Sequence, residues 1–480
     1  MKYLSIISGI VLLLWACDKG ELLPNQPPET KIFLEDIQLA GADRLNSFVQ
    51  LHWSGEDVDG YVAAYELSFD AQIWTLTSNT DSVFQLPLAV GQDTTDIDFY
   101  VRAIDNQDLA DPDPAYLQIP IKNTPPTVAF DSTKTIPDSV LGAWSVLWSI
   151  KDSDGLETLD SVFVKINEGA WYRLDPRINF ISLIPENATQ AGEQALQLFA
   201  GASSELQPFP LEGARVGEEN RMYLRARDIA GVWSEPDTSN AFFLFQQKGD
   251  LLVIDGFVND IPDETYLPIL DAAYPAYDYY NLIDNQPPFW DPTFGMLLSQ
   301  YDKVFWYGDE TKFDEQLLLE LGSGALQQFL NQGGKIFVTT TFPSSLTSDP
   351  ETANQSPIFS FSPMDSLSSA SGQARIGKND TMMVAPAFAA DFPLLVTSTL
   401  IISADPFYSK DPQQDLYTTP ILASGGWVGP STVCAKSSFN NGETNQIFWS
   451  IDLYKLNGDP GNPMALEQLF SQVLQHEFDW

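Results

Sequence analysis

Residues able to act as nucleophile, base or soft metal ligand are scarce in this chain. Two cysteines, Cys17 and Cys434, and two histidines, His52 and His476, are all that 480 residues hold. A thiolate needs a basic partner or a positive local field to attack, and neither histidine lies near either cysteine in sequence. Cys434 sits in Thr432-Val433-Cys434-Ala435, which predicts a buried strand and a small core side chain. His52 precedes a tryptophan on an alternating strand and reads as structural, and His476 reads as a helix-end residue. No Gly-x-Ser-x-Gly, His-Glu-x-x-His or glycine-rich phosphate loop occurs, so no catalytic residue is assigned. Two cysteines also supply no disulfide framework and no cysteine metal site.

What the chain has in excess is carboxylate: 65 Asp plus Glu against 24 Lys plus Arg, a net charge of -41. A field of that sign repels phosphate backbones, which argues against a nucleic-acid partner, and it suits cations, basic partners or plain solubility. Two groupings stand out. Asp57-Val58-Asp59-Gly60 and Asp152-Ser153-Asp154-Gly155 place alternate carboxylates on a turn. That pattern can ligate Ca²⁺ through Asp57, Asp59, Asp152 and Asp154, and it also makes ordinary turns. Beyond this possible Ca²⁺ no cofactor is identified. The second grouping follows apolar runs of a parallel-strand type, at whose carboxyl ends open α/β sheets bind ligands. It holds Asp255, Asn259, Asp260, Phe289, Trp290, Asp291, Asp309, Glu310, Thr340 and Asp452. These residues suit a sugar, a cation or a peptide; equally, the aromatics fill a loop core and the acids are solvated.

Three kinds of element must position these groups. Two copies of one β unit begin at Pro27-Pro28-Glu29-Thr30 and Pro125-Pro126-Thr127-Val128. Each carries a tryptophan, Trp53 or Trp148, just before its acidic turn. Each closes on a Tyr-x-Arg-Ala strand, at Tyr100-Val101-Arg102-Ala103 and Tyr223-Leu224-Arg225-Ala226. Alternating apolar residues and turn-rich joints predict all-β sandwiches over 29–122 and 123–246, and the tryptophan and late strand resemble fibronectin type III-like and immunoglobulin-like modules. The longer second copy carries an insertion, 177–219, expected as a loop with a short helix. From residue 247 to 480 the period changes. Leu251-Leu252-Val253-Ile254, Lys303-Val304-Phe305-Trp306-Tyr307 and Lys335-Ile336-Phe337-Val338 are continuous apolar runs, and helical spacing separates them. This predicts an α/β domain of three layers around a parallel sheet. The succession of strand, long helix, Gly333-Gly334-Lys335 and apolar strand resembles the class I glutamine amidotransferase-like group of flavodoxin-like folds. That resemblance implies a cysteine nucleophile after a strand, but the comparable strand ends in Thr339-Thr340-Thr341-Phe342-Pro343. Gly322-Ser323-Gly324 predicts a bend or break in the preceding helix, and the order of elements over 342–431 is not legible.

The start of the chain gives a location. Lys2, an apolar run to Ala16 and then Cys17 form a secretory signal too short to span a bilayer. Leu14-Trp15-Ala16-Cys17 resembles the lipobox of bacterial lipoproteins, and Asp18-Lys19-Gly20-Glu21 resembles a Bacteroidota surface-export tag. The resemblance implies removal of 1–16, diacylglycerol on Cys17 and a tether over 17–28. The expected place is the cell envelope, held by lipid, the outer membrane ahead of the inner and extending to the cell surface. The expected role is a non-catalytic scaffold or binder of an envelope protein or glycan. Two alternatives stand beside it: a hydrolase of glycans or peptides using Asp309 and Asp452 as acid and base, and a structural part of a larger outer-membrane assembly.

Overall fold

A computed structural model describes residues 24–34, 39–41, 44–45, 47–87, 91–313, 316–343, 346, 356–368 and 371–479. Cys17 lies outside them. The molecule is mostly β. Its first compact unit takes the described residues of Met1–Thr127 together with Lys151–Ser161 and Ala226–Ser234. The second takes Val128–Ile150, Val162–Arg225 and the described part of Glu235–Trp480.

In the first unit, β1 (Glu29–Leu34), β2 (Phe48–Glu56) and β4 (Asp81–Gln85) form one antiparallel sheet. The other sheet is centred on β3 (Val62–Ser68), β5 (Thr94–Asp105) and β6 (Ala115–Lys122), with three short strands at its margins. Alternate residues point inward, so Val49, Leu51 and Trp53 meet Phe99, Val101 and Ala103 in one core. The Trp53 indole N–H donates to the Asn79 carbonyl at 2.8 Å, so the large ring is buried with its polar atom satisfied.

The second unit opens with a sandwich that repeats this plan. Trp148, on β7 (Trp144–Lys151), donates its indole N–H to the Ile178 carbonyl at 3.0 Å. β8 (Leu159–Ile166) and β12 (Met222–Asp228) supply Val162, Val164, Met222 and Leu224 to the core. Segment 177–219 differs from the expected loop and helix. It forms β9 (Phe180–Pro185), β10 (Gly192–Ala200) and β11 (Leu211–Val216), which extend the sheet. β9 is mostly apolar and buried throughout, so it shows no alternation, and the Gly, Ala and Gln of β10 weaken the pattern there.

The rest of the second unit is built on a nine-stranded mixed sheet. Five parallel strands lie in the order β14 (Tyr277–Asn281), β13 (Leu251–Gly256), β15 (Lys303–Asp309), β16 (Lys335–Thr341), β18 (Thr444–Trp449). β17 (Thr432–Ser438) and three shorter strands continue it antiparallel. Leu251, Val253, Phe305, Tyr307 and Phe337 face one core with α1 (Asp263–Ala273) and α4 (Ala465–Ser471). Leu252, Ile254, Val304, Trp306 and Val338 face the other with α2 (Gly295–Leu298) and α3 (Leu318–Asn331). Both faces being covered explains the unbroken apolar runs. α3 runs through Gly322 and Gly324 without the expected break. Gly322 lets the helix approach Phe294 and Trp290, where an added Cβ would lie 3.3 Å from each ring. Leu141, Ala143 and Ile184 of the sandwich belong to this same second core.

Candidate functional site at the parallel-strand ends

Asp309 is the last residue of β15, half-exposed, and accepts a hydrogen bond from Thr341 Oγ1 at 3.1 Å at the end of β16. The Thr311 amide, at 3.1 Å, and the Thr311 hydroxyl also donate to it. Beyond β18 stands Asp452, 5% exposed. Lys455 Nζ lies 2.5 Å from its Oδ2, while its buried Oδ1 has no hydrogen-bond partner among the described residues. Asp405, 4% exposed, accepts from the Phe342 amide at 3.0 Å. Burial pushes the Asp405 carboxyl up to about 7; the Phe342 amide opposes this and the Asp452 charge adds to it. Asp452 is also raised, by burial first, with Lys455 pulling against it and Asp309 adding to it. Asp452 thus interacts with Asp309 and with Asp405 near the strand ends, with the Lys455 ammonium beside it.

A second network lies at the ends of β13 and β14. Tyr279 donates to Asp255 Oδ2 at 2.7 Å and lies 3.0 Å from Asp263 Oδ2. Tyr307 donates to Asp263 Oδ1 at 2.6 Å, and the Phe257 amide to Asp255 Oδ1 at 2.8 Å. Burial pushes the Asp255 carboxyl up to about 6, against these donors and with the Asp263 and Asp260 charges.

The other positions marked in the sequence have different surroundings. Glu310 is buried and accepts from the Leu318 and Leu319 amides at 2.7 and 3.0 Å, so it caps the start of α3. Burial raises its carboxyl to about 8. Thr340 is fully buried, and Thr341 rather than Thr340 meets the acids. Asn259 and Asp260 are exposed, and Asn259 folds back onto the Ile261 amide at 3.1 Å. Trp290 stacks edge-on to Phe294 with centroids 5.1 Å apart, Phe289 lies 4.6 Å from Phe180, and Asp291 is exposed. These aromatics fill packing between α3 and the sandwich. Cys434 is fully buried in β17, and burial raises its thiol well above the ordinary range. His52 is half-buried on β2, and His476 is in the last helical turns, Gln472–Glu477.

No protein-family model and no curated protein matches the chain. Solved structures do. Fibronectin(III)-like modules of Clostridium thermocellum CbhA are 13% identical, over 45% of this chain and 95% of theirs, at a TM-score of 0.18. A two-domain fibronectin type-III segment of chicken tenascin is 13% identical, over 45% and 98%, at 0.20. Carbohydrate-binding modules of the β-sandwich superfamily are 13% identical, over 42% and 59%, at 0.16. What these proteins have in common with the chain is the sandwich fold, which the strand pairing above already establishes.

Asp405, Lys455, Thr341, Asp263 and Tyr279 were not marked by sequence reasoning. Lys455 had a signal, three residues after Asp452. Asp405 had none, because it lies in 342–431 between Ile401–Ala404 and Phe407–Ser409, strands too short to order from periodicity. Among the described residues, no group of three or more His, Cys, Asp or Glu side chains is arranged to hold a metal ion.

Proposed function

We propose that the chain is a lipid-anchored cell-envelope protein whose sandwiches carry a binding domain, with no catalysis of its own. The observation that carries the binding role is Asp452 Oδ1, a buried oxygen without a donor, set between Asp309 and Asp405 at the strand ends. An unsatisfied buried acceptor is costly and favours a ligand that brings a donor, a hydroxyl or an ammonium. The strand order second, first, third, fourth, last supports a flavodoxin-like reading of the parallel strands. Thr339–Phe342, where the amidotransferase-like resemblance would set a nucleophile, are all buried. The anchor rests on Leu14–Cys17, and among the described residues no helix is long and apolar enough to cross a membrane.

Envelope glycans and peptides offered to the purified protein, with binding and product formation read in the same samples, test this. Retention without turnover is expected. Asp309→Asn should weaken it about tenfold, the scale of one charge-assisted hydrogen bond. Turnover that disappears in Asp309→Asn would instead establish the hydrolase. That second reading draws on Asp405, whose raised carboxyl holds a proton near neutral pH beside a second acid. Cys17→Ser should release the protein from membranes, and mass spectrometry of the wild-type amino terminus should find a diacylglyceryl thioether.

A further inference from the structure

The two Asp-x-Asp-Gly turns are each part of a larger, repeated construction. A linker precedes each sandwich, Asn25-Gln26-Pro27-Pro28 and Asn123-Thr124-Pro125-Pro126. In the first, the Asn25 amide group donates to Asp105, at the end of the Tyr-x-Arg-Ala strand β5. In the second, Asn123 Nδ2 donates to Asp228, at the end of β12, at 2.6 Å. The next residue's backbone N–H goes to the turn's second aspartate. Gln26 N lies 3.2 Å from Asp59 Oδ2, and Thr124 N lies 2.6 Å from Asp154 Oδ2. The turn's first aspartate accepts the second's amide through Oδ1, at 3.3 Å for Asp57 and 2.9 Å for Asp152. In both copies this leaves the other oxygen, Asp57 Oδ2 or Asp152 Oδ2, buried with no partner among the described residues.

Turn geometry explains the bonded oxygens and not the unbonded ones. At the second linker the deficit is larger. Asn123 is 3% exposed, its side chain lies against Asp228, and its Oδ1 too has no partner among the described residues. Asp154 is fully occupied: Ser47 N donates to Oδ1 at 3.1 Å, and Thr124 N and Oγ1 donate to Oδ2. It holds the linker on the turn and has no oxygen left over. An unpaired amide oxygen and an unpaired carboxylate oxygen, beside a second carboxylate, describe an acceptor-only shell.

We propose that the second linker closes a calcium site on Asn123, Asp152 and Asp228; at the first linker Asn25 Oδ1 already accepts from Gln107 Nε2 at 2.8 Å, so the proposal stops at the second. The cluster does not offer three free carboxylates, and the Asn123 amide oxygen serves as the third side-chain ligand. All donors are hard oxygens of mixed type, which suits Ca²⁺ better than Zn²⁺. Main-chain carbonyls and water complete its six to eight positions. The ion fixes the Asn-x-Pro-Pro segment to the turn and the strand end at once.

The test is equilibrium dialysis of the full chain, extracted in detergent and stripped with chelator, against calcium at about 1 mM, the range of extracellular modules. One ion per chain is expected, with a higher melting temperature than the stripped protein. None is expected for Asp152→Asn, and the stripped variant should melt with the stripped wild type. Amide exchange in the wild type gives a readout independent of any variant, and calcium should slow it at Asn123 and Thr124, the two linker residues with an amide hydrogen. No bound calcium at about 10 mM, well above that range, or binding that Asp152→Asn leaves intact, overturns the proposal.

Discussion

Asp405 and Glu310 show how burial turns an acid into a pH-dependent stability element. Both carboxyls are raised in the folded protein, to about 7 and about 8. Folding therefore takes up protons there. The stability from the neutral form is complete below the unfolded carboxylate range, near pH 4, and is lost as pH rises through 7 to 8. Asp405→Asn keeps an oxygen for the Phe342 amide and removes the titration. In urea unfolding the variant should match wild type near pH 4 and exceed it by a few kcal/mol near pH 9, the gap opening between about pH 4 and 7. An unchanged difference across that range would contradict the buried proton. Glu310→Ala acts differently, because it strands the Leu318 and Leu319 amides. A loss of about 2–3 kcal/mol is expected near pH 6, read by the same denaturation. The sequence marked Glu310 as a ligand candidate because it follows a strand. Its capping of α3, eight residues on, depends on the intervening chain folding back.

At the scale of elements, the parallel strands were legible because both their faces are buried, which leaves runs such as Leu251–Ile254 without alternation. Sandwich strands were legible because one face is wet and the tryptophans recur in phase. Segment 177–219 was not legible, since Gly, Ala and Gln report little about a strand that borrows its hydrogen bonds from a neighbour. The acid cluster was half legible: Asp309 and Asp452 close long strands, whereas Asp405 closes a four-residue one. The expected break in α3 failed for a packing reason, as Gly322 makes room for Trp290 and Phe294. Gly324 has no such neighbour; an added Cβ there meets nothing within 4 Å. Gly324→Ala should therefore stabilise the protein by about 0.5–1 kcal/mol through helix propensity, measured as a higher urea midpoint at constant slope. Gly322→Ala should give less or none of that gain.

Over the whole molecule, the second sandwich and the layered sheet share one core, through Leu141, Ala143 and Ile184. The Ser145 and Thr293 hydroxyls add a hydrogen bond at 2.5 Å. Ile184→Asp places a charge in that seam at a cost of about 3 kcal/mol or more. Unfolding of the second unit, expected as one transition in wild type, should separate into two when followed by tryptophan fluorescence and circular dichroism together. A single sharp transition in the variant would show that the seam carries little energy. The same depth of packing governs Cys434, the one cysteine among the described residues, fully enclosed on β17 with its thiol held in the neutral form. A thiol reagent in solvent can reach that sulfur only after the sheet has parted. Its rate of labelling is thus a stopwatch already wired into the protein, counting how often the middle of the domain comes open.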